Sequence, residues 1–153
     1  MKHTFKSKNE LETLTLGEKL ATLLKVGDVI LLTGDLGAGK TTITKGIARG
    51  LNIEEKVNSP TFNIMKIYLK GTTPLFHIDA YRLEDNQDDI GLDEFIGGEG
   101  ITVIEWPLYI KHLLPNNALE INIKHISLEV REITFFGQEH YENVIKKIAE
   151  DFK

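Results

Sequence analysis

Cysteine is absent from this chain of 153 residues, and so are long apolar runs. Without cysteine the protein forms no disulfide and uses no thiolate chemistry, which fits a cytoplasmic location. No apolar segment approaches the roughly 18 residues of a membrane span. Residues 1–6 also lack the apolar core of a signal peptide. We therefore expect a cytoplasmic protein that makes no contact with a membrane.

Basic residues are outnumbered by acidic ones, 18 against 23, and the net charge is −5. A surface that binds the nucleic-acid backbone broadly is usually basic. A function near nucleic acid would therefore require a partner protein or a local basic patch. The composition, 41% hydrophobic and 27% charged, is ordinary for a globular protein. The length predicts one domain over residues 1–153, large enough to bury a core.

One glycine-rich motif dominates the sequence. Residues 34–41 read Gly-Asp-Leu-Gly-Ala-Gly-Lys-Thr and match the P-loop pattern G-x-x-x-x-G-K-[ST]. Residues 29–33 predict a buried strand before the motif, and residues 41–51 predict a helix after it. Glycines and a helix N-terminus both present backbone N–H groups to phosphate oxygens. The predicted nucleotide-binding residues are Asp35, Leu36, Gly37, Ala38, Gly39, Lys40, Thr41 and Thr42.

Two residues of this motif have specific roles in the chemistry. The Lys40 ammonium can reach the β- and γ-phosphates, and the Thr41 hydroxyl can ligate Mg²⁺. The alternative is a glycine-rich turn that binds nothing. Eight matched positions between a predicted strand and a predicted helix favour nucleotide binding.

Hydrophobic periodicity predicts the remaining elements. Strands are expected at residues 3–7, 61–69, 74–79, 101–104, 119–126 and 128–136. Further helices are expected up to about residue 25 and at 91–95, 107–113 and 141–152. Ser7 and Glu10 resemble a capping box at the start of the first helix. Strands interleaved with helices, followed by a late strand pair, predict an α/β fold. We expect a P-loop NTPase-like mixed sheet flanked by helices.

Two predicted strands end in an acidic residue, Asp79 and Glu105. Open α/β sheets bind ligands beyond the carboxyl ends of their strands, so both carboxylates are expected to face the phosphates. Hydrolysis requires an acid near Mg²⁺ and the attacking water. The alternative is that each acid is a solvated strand-end carboxylate. The P-loop favours the catalytic role for both.

Residues 58–62, Asn-Ser-Pro-Thr-Phe, follow the P-loop helix. Pro60 holds the residue before it in an extended conformation. The Thr61 hydroxyl would then be available to Mg²⁺ or the γ-phosphate, as in a nucleotide-sensing switch loop. An ordinary turn explains the segment equally well.

Three further residues allow two interpretations each. His77 shares the strand alternation of Asp79, and a core or surface histidine is favoured over a catalytic one. Arg82 either contacts phosphate or pairs with an acid. Trp106, before Pro107, is favoured as a packing residue over an interface residue.

Four sequence blocks together resemble the TsaE family, also called YjeE. These blocks are residues 34–42, 58–62, 77–83 (His-Ile-Asp-Ala-Tyr-Arg-Leu) and 104–107 (Ile-Glu-Trp-Pro). Their order and spacing match, and the similarity covers nearly the whole chain. The P-loop alone is generic, but the other three blocks are specific in combination.

This resemblance implies ATP binding and slow, Mg²⁺-dependent ATP hydrolysis in tRNA threonylcarbamoyladenosine biosynthesis. It implies assembly with the TsaD and TsaB proteins, which transfer the threonylcarbamoyl group to adenosine 37. The ATPase cycle would reset that complex between turnovers, and tRNA would be met only through it. Thr41, Asp79 and Glu105 would be the Mg²⁺ and water-handling residues, with Thr61 in the switch loop. Which of the two acids ligates Mg²⁺ directly is left open.

Two other functions are compatible with a P-loop. A small-molecule kinase usually has an arginine-rich lid, but the chain after Arg82 is acidic and its other arginines are Arg49 and Arg131. A nucleotide-gated binding module would hydrolyse ATP negligibly. A GTPase is disfavoured because no Asn-Lys-x-Asp or Thr-Lys-x-Asp motif is present.

Overall fold

Seven strands form one mixed sheet in the computed structural model, which describes residues 1–35, 39–58, 64–83 and 91–152 and, at Arg82, only the backbone. The strands are β1 Lys2–Ser7, β2 Val29–Gly34, β3 Met65–Tyr68, β4 Leu75–Asp79, β5 Ile101–Glu105, β6 Leu119–His125 and β7 Arg131–Phe136. Their order across the sheet is β1-β7-β6-β2-β5-β4-β3. In these described ranges no helix has both the length and the apolar character to cross a membrane.

The centre of the sheet is parallel and its edges are antiparallel. Strands β6, β2, β5 and β4 run parallel, whereas β1, β7 and β3 pair antiparallel to their neighbours. The predicted mixed sheet with antiparallel parts is therefore confirmed. Because the central strands are parallel, the carboxyl ends of β2, β4 and β5 meet at one edge, where α/β proteins bind ligands.

Three helices cover one face of the sheet, namely α1 Glu10–Leu23, α2 Lys40–Gly50 and α3 His140–Asp151. Their apolar side chains bury Ile30, Leu32 and Val103 of the central strands. The other face packs against short 3-10 segments at Tyr81–Leu83, Leu92–Glu94 and Pro107–Leu113. Alternate residues of each central strand face opposite sides, so the strands are buried on both faces and read as continuous apolar runs.

The predicted starts of three elements were wrong. Strand β3 begins at Met65, with Ile64 in a bend before it and residues 61–63 outside the described part of the chain. The N-cap of α1 is Asn9, whose side chain accepts a hydrogen bond from the Glu12 N–H at 2.9 Å. Ser7 remains in β1 and its hydroxyl lies 2.6 Å from the Thr13 hydroxyl instead. Strand β7 begins at Arg131, not at residue 128. The Arg131 guanidinium donates to backbone carbonyls of the preceding turn, at 2.8 and 3.3 Å, which holds that segment out of the strand.

A buried tyrosine links α3 to the strand that leads into the P-loop. The Tyr141 hydroxyl accepts a hydrogen bond from the Val29 N–H at 3.0 Å and lies 3.4 Å from Asp28 Oδ1. Burial raises the pKa of Tyr141 to about 12, with the Asp28 charge acting in the same direction. The hydroxyl is therefore protonated at neutral pH and ties α3 to the first residue of β2.

The crossing of α1 and α2 predicts a large effect for Gly46→Ala. A Cβ at Gly46 would lie 2.2 Å from the Leu14 carbonyl oxygen, and one at Gly17 would lie 2.5 Å from that of Ile43. Backbone atoms cannot rotate away, so the helices must separate. We expect a loss of about 3 kcal/mol from overpacking, against a gain of about 1 kcal/mol in helix propensity.

Urea unfolding of both proteins measures this change. Lys45→Ala, at the preceding position of the same helix, is the control and should unfold near the wild-type midpoint. Equal midpoints for Gly46→Ala and wild type would show that the helices have room to adjust.

Candidate nucleotide site

The predicted phosphate loop joins the centre of the sheet to α2. Strand β2 ends at Gly34, and α2 begins at Lys40 after Gly39. Gly39 has a φ of 112°, a left-handed conformation that glycine adopts without strain. Gly39 provides no side-chain cap for the helix, and the first N–H groups of a helix are suited to binding phosphate. Asp35 is exposed. Outside the described residues lie Leu36, Gly37 and Ala38.

Lys40 is held against the start of the loop. Its Nζ donates a hydrogen bond to the Gly34 carbonyl at 2.9 Å and lies 4.1 Å from the centroid of the Trp106 ring. The side chain is only 6% exposed, so the ammonium is largely desolvated. A cation over an aromatic face is stabilised by the ring quadrupole. The ammonium thus lies at the end of β2, where the predicted phosphate loop begins.

Two threonines follow Lys40 in the first turn of α2. Thr41 and Thr42 are both half-buried, and the deeper Thr44 hydroxyl donates to the Lys40 carbonyl at 3.0 Å. The motif position of Thr41 is the one whose hydroxyl ligates Mg²⁺ in P-loop proteins. The structure therefore leaves Thr41 at the helix start, beside the predicted phosphate loop.

The two predicted acids end adjacent strands. Asp79 and Glu105 are the last residues of β4 and β5 and are partners in the parallel register. Glu105 also pairs in register with Leu32, two residues before the end of β2. The sheet thus brings both carboxylates to the edge where β2 enters the loop.

The surroundings of these two acids differ. Asp79 is partly exposed and accepts a hydrogen bond from the Tyr81 N–H at 3.1 Å. Glu105 is only 3% exposed, and its Oε2 lies 2.6 Å from Nε2 of His77. His77 is a fully buried residue of β4, so its side chain is a core histidine with a carboxylate partner. The structure thus agrees with the favoured interpretation, a core histidine, and the catalytic one stays a prediction.

Trp106 packs within an aromatic cluster directly after Glu105. Its ring centroid lies 5.2 Å from that of Tyr81 and 6.2 Å from that of Tyr109, which it stacks against at 15°. A cavity of about 170 Å³ lies between this cluster, Lys40 and the end of β2. The Trp106 backbone has a φ of 57°, an uncommon conformation for a bulky residue that concentrates at functional sites.

The structure adds residues that the sequence analysis missed. A second cavity of about 330 Å³ adjoins Gly39 and Thr42, and its other lining residues are Glu10, Thr13, Leu128, Glu129 and Arg131. A Cβ at Gly39 would lie 3.9 Å from Nε of Arg131. The presence of an arginine, a residue suited to a phosphate loop, was the one signal that the sequence offered. No short-range sequence pattern relates β7 to α2, so the position of Arg131 beside Gly39 was not predictable.

The donor set fits a nucleotide with Mg²⁺. Within the described ranges no group of three or more His, Asp or Glu side chains can hold a metal ion by itself. Mg²⁺ usually keeps several waters and shares one or two carboxylates with substrate phosphates. Thr41, Asp79 and Glu105 meet that requirement in type, and Gly39 places no side chain beside the predicted loop. Thr61 and the Arg82 side chain lie outside the described part of the chain.

A mixed sheet with strand-end acids beside a glycine loop defines a P-loop NTPase-like α/β protein. The chain belongs to the TsaE family, because the family model described as "Threonylcarbamoyl adenosine biosynthesis protein TsaE" matches residues 7–133. The resemblance deduced from the sequence is thus confirmed.

Known relatives agree with this assignment. A Bacillus subtilis protein named tRNA threonylcarbamoyladenosine biosynthesis protein TsaE is 50% identical over 127 residues, covering 83% of this chain and 80% of that protein. A Treponema pallidum protein of the same name is 39% identical over 130 residues, covering 84% and 96%. The crystal structure of Bacillus subtilis YdiB matches with a TM-score of 0.86 and 38% identity, over 100% of this chain and 97% of YdiB.

Proposed function

We propose that this protein binds ATP and hydrolyses it slowly as a component of tRNA threonylcarbamoyladenosine biosynthesis. The observation that carries the proposal is the placement of Lys40. Its ammonium lies between the Gly34 carbonyl and the Trp106 ring, at the sheet edge where Asp79 and Glu105 end their strands. The biosynthetic pathway follows from membership of the TsaE family.

ATP would lie along the N-terminus of α2. The loop between Gly34 and Thr41 would hold the β- and γ-phosphates, with the Lys40 charge on their oxygens. The cavity beside Gly39 and Thr42 would receive the rest of the nucleotide, with the Arg131 guanidinium at its wall. Mg²⁺, held by the Thr41 hydroxyl with Asp79 or Glu105, would neutralise charge on the phosphates.

Hydrolysis requires an in-line attack by water on the γ-phosphorus, with ADP as the leaving group. The protein's contribution to such a reaction is mainly positioning and electrostatic stabilisation. Lys40 would stabilise negative charge on the phosphate oxygens. Whichever of Asp79 and Glu105 does not ligate Mg²⁺ directly would orient the attacking water.

The cycle of ATP binding and hydrolysis would change how this protein assembles with TsaD and TsaB. A net charge of −5 argues against tight tRNA binding by this chain alone, because such binding depends on neutralising backbone phosphates. Docking that responds to ATP requires ATP to bind the docked conformation more tightly than the free one. Linkage then requires the partners to raise ATP affinity by the same factor. Thr61 would sense the γ-phosphate in this switch.

Co-purification with TsaD and TsaB, in ATP, in ADP and without nucleotide, tests this function. We expect ATP to favour docking and the partners to change the rate of ATP hydrolysis. Thr61→Ala should lose ATP-dependent docking and keep much of its ADP affinity. Thr73→Ala, in the turn between β3 and β4, is the control. Equal co-purification in ATP and without nucleotide would rule out the switch, and absence of ATP binding would exclude the ATPase.

A further inference from the structure

We propose that His77 is a positioning residue that holds the Glu105 carboxylate in its working orientation. The inference rests on the proposed ATPase function. His77 Nε2 and Glu105 Oε2 are 2.6 Å apart, and their side chains are 0% and 4% exposed. Such a short contact between buried groups is a strong, specific interaction.

The sheet explains why this contact forms. His77 lies two residues before Asp79 on β4, and its register partner, Val103, lies two residues before Glu105 on β5. Alternation therefore puts His77, Asp79 and Glu105 on the same face of adjacent strands. The His77 ring therefore reaches Glu105 at the end of the adjacent strand β5, beyond its own register partner Val103.

The surroundings of the His77 ring favour one tautomer. Nδ1 is buried and has no hydrogen-bond partner among the described residues. A proton on Nδ1 would thus be buried without an acceptor, which costs free energy. Within the described part of the chain Nδ1 has no partner in either tautomer, so the contact at Nε2 decides, and a ring with its proton on Nε2 donates to Glu105. A carboxylate can only accept hydrogen bonds, so the single proton on Nε2 is enough to form this contact.

The contact with His77 restricts the conformations of the Glu105 side chain. Glutamate has three rotatable side-chain bonds, and fixing such a side chain costs up to about 2 kcal/mol of rotamer entropy. His77 engages Oε2, so Oε1 would be the oxygen that serves a water molecule or a cation. Phosphoryl transfer depends on the positioning of these groups. A buried histidine on a rigid strand thus prepares the carboxylate before nucleotide binds.

Kinetics of two variants test the positioning role. His77→Leu removes the donor, whereas His77→Gln places an amide N–H near the position of Nε2. We expect His77→Leu to lower kcat by about 10–100-fold, the usual effect of losing such a supporting hydrogen bond, with little change in ATP affinity. His77→Gln should recover most of the rate. Thr102→Val, which alters a buried polar residue at the other end of β5, should leave kcat unchanged.

A double-mutant cycle separates this role from general stability. If His77 acts through Glu105, His77→Leu should cost nothing further in the Glu105→Gln background, because coupled residues are not additive. Independent, multiplying effects would overturn the inference, as would a wild-type kcat in His77→Leu.

A crystal structure of each variant provides a readout that needs no ATP. Glu105 should keep one conformation in wild type and in His77→Gln, and should lose it in His77→Leu. An unchanged Glu105 in His77→Leu would reject the positioning role even if the protein hydrolyses ATP. A wild-type protein that binds no ATP would instead reject the proposed function, while the Glu105 conformations would still decide the role of His77.

Discussion

Lys40→Ala should abolish measurable ATP hydrolysis and weaken ATP binding while the protein stays folded. The Lys40 ammonium is largely buried and already lies at the first residue of the phosphate loop, so its charge acts on phosphate with little screening by water. Removing one preorganised donor from a charge-stabilising site costs on the order of 10²–10³-fold in rate. We expect at least this loss.

The fold should survive this substitution. The Gly34 carbonyl loses a hydrogen bond, which costs about 1 kcal/mol, but a desolvated charge is removed at the same time. The control is Lys45→Ala, which removes the next lysine of α2 and should hydrolyse ATP normally.

Thermal unfolding with and without nucleotide measures the binding part of this prediction. Ligand at 100 times its dissociation constant stabilises a protein by ~2.7 kcal/mol. For a domain of this size that corresponds to a rise of about 5–10 °C in Tm. Wild type with Mg²⁺ and ATP should show this shift, and Lys40→Ala should show much less of it. ATP binding by Lys40→Ala at wild-type affinity would contradict the phosphate role.

Glu105→Gln and Asp79→Asn should each reduce turnover far more than ATP affinity. Each substitution keeps the shape of the side chain and removes a negative charge that holds Mg²⁺ or orients water. The expected loss in kcat is about 10²-fold or more, with the ATP dissociation constant changed by only a few fold. Single-turnover hydrolysis and equilibrium binding, measured on the same samples, separate the two effects.

At Glu105 the choice of glutamine instead of alanine is especially important. Alanine would leave the buried His77 Nε2 proton without an acceptor, which costs about 1–3 kcal/mol, whereas the glutamine oxygen can still accept it. A lower rate in Glu105→Gln would then reflect charge and not misfolding. Asp93→Asn, an exposed acid in a 3-10 segment, is the control. Full hydrolysis in both site variants would place the catalytic acid elsewhere.

Much of the fold was predictable because its signals are local. Apolar runs at 29–33 and 101–104 predicted β2 and β5 to within a residue or two, since parallel central strands are buried on both faces. The boundary of β7 was not predictable, because Leu128 is apolar but 89% exposed. The Arg131 side chain binds the carbonyls of that turn, and strand alternation contains no information about such a bond.

The sequence by itself determined the mixed α/β sheet and the family and predicted the position of the P-loop, because strand alternation, glycine spacing and motif order are contained in short segments. Only the tertiary structure decided which distant side chains meet. His77 and Glu105 are 28 residues apart and touch because parallel pairing brings β4 beside β5. Arg131 lies near Gly39 because antiparallel β7 begins at the sheet edge where β6 and β2 end and α2 begins. Such contacts depend on strand order and register, which are properties of the whole folded chain.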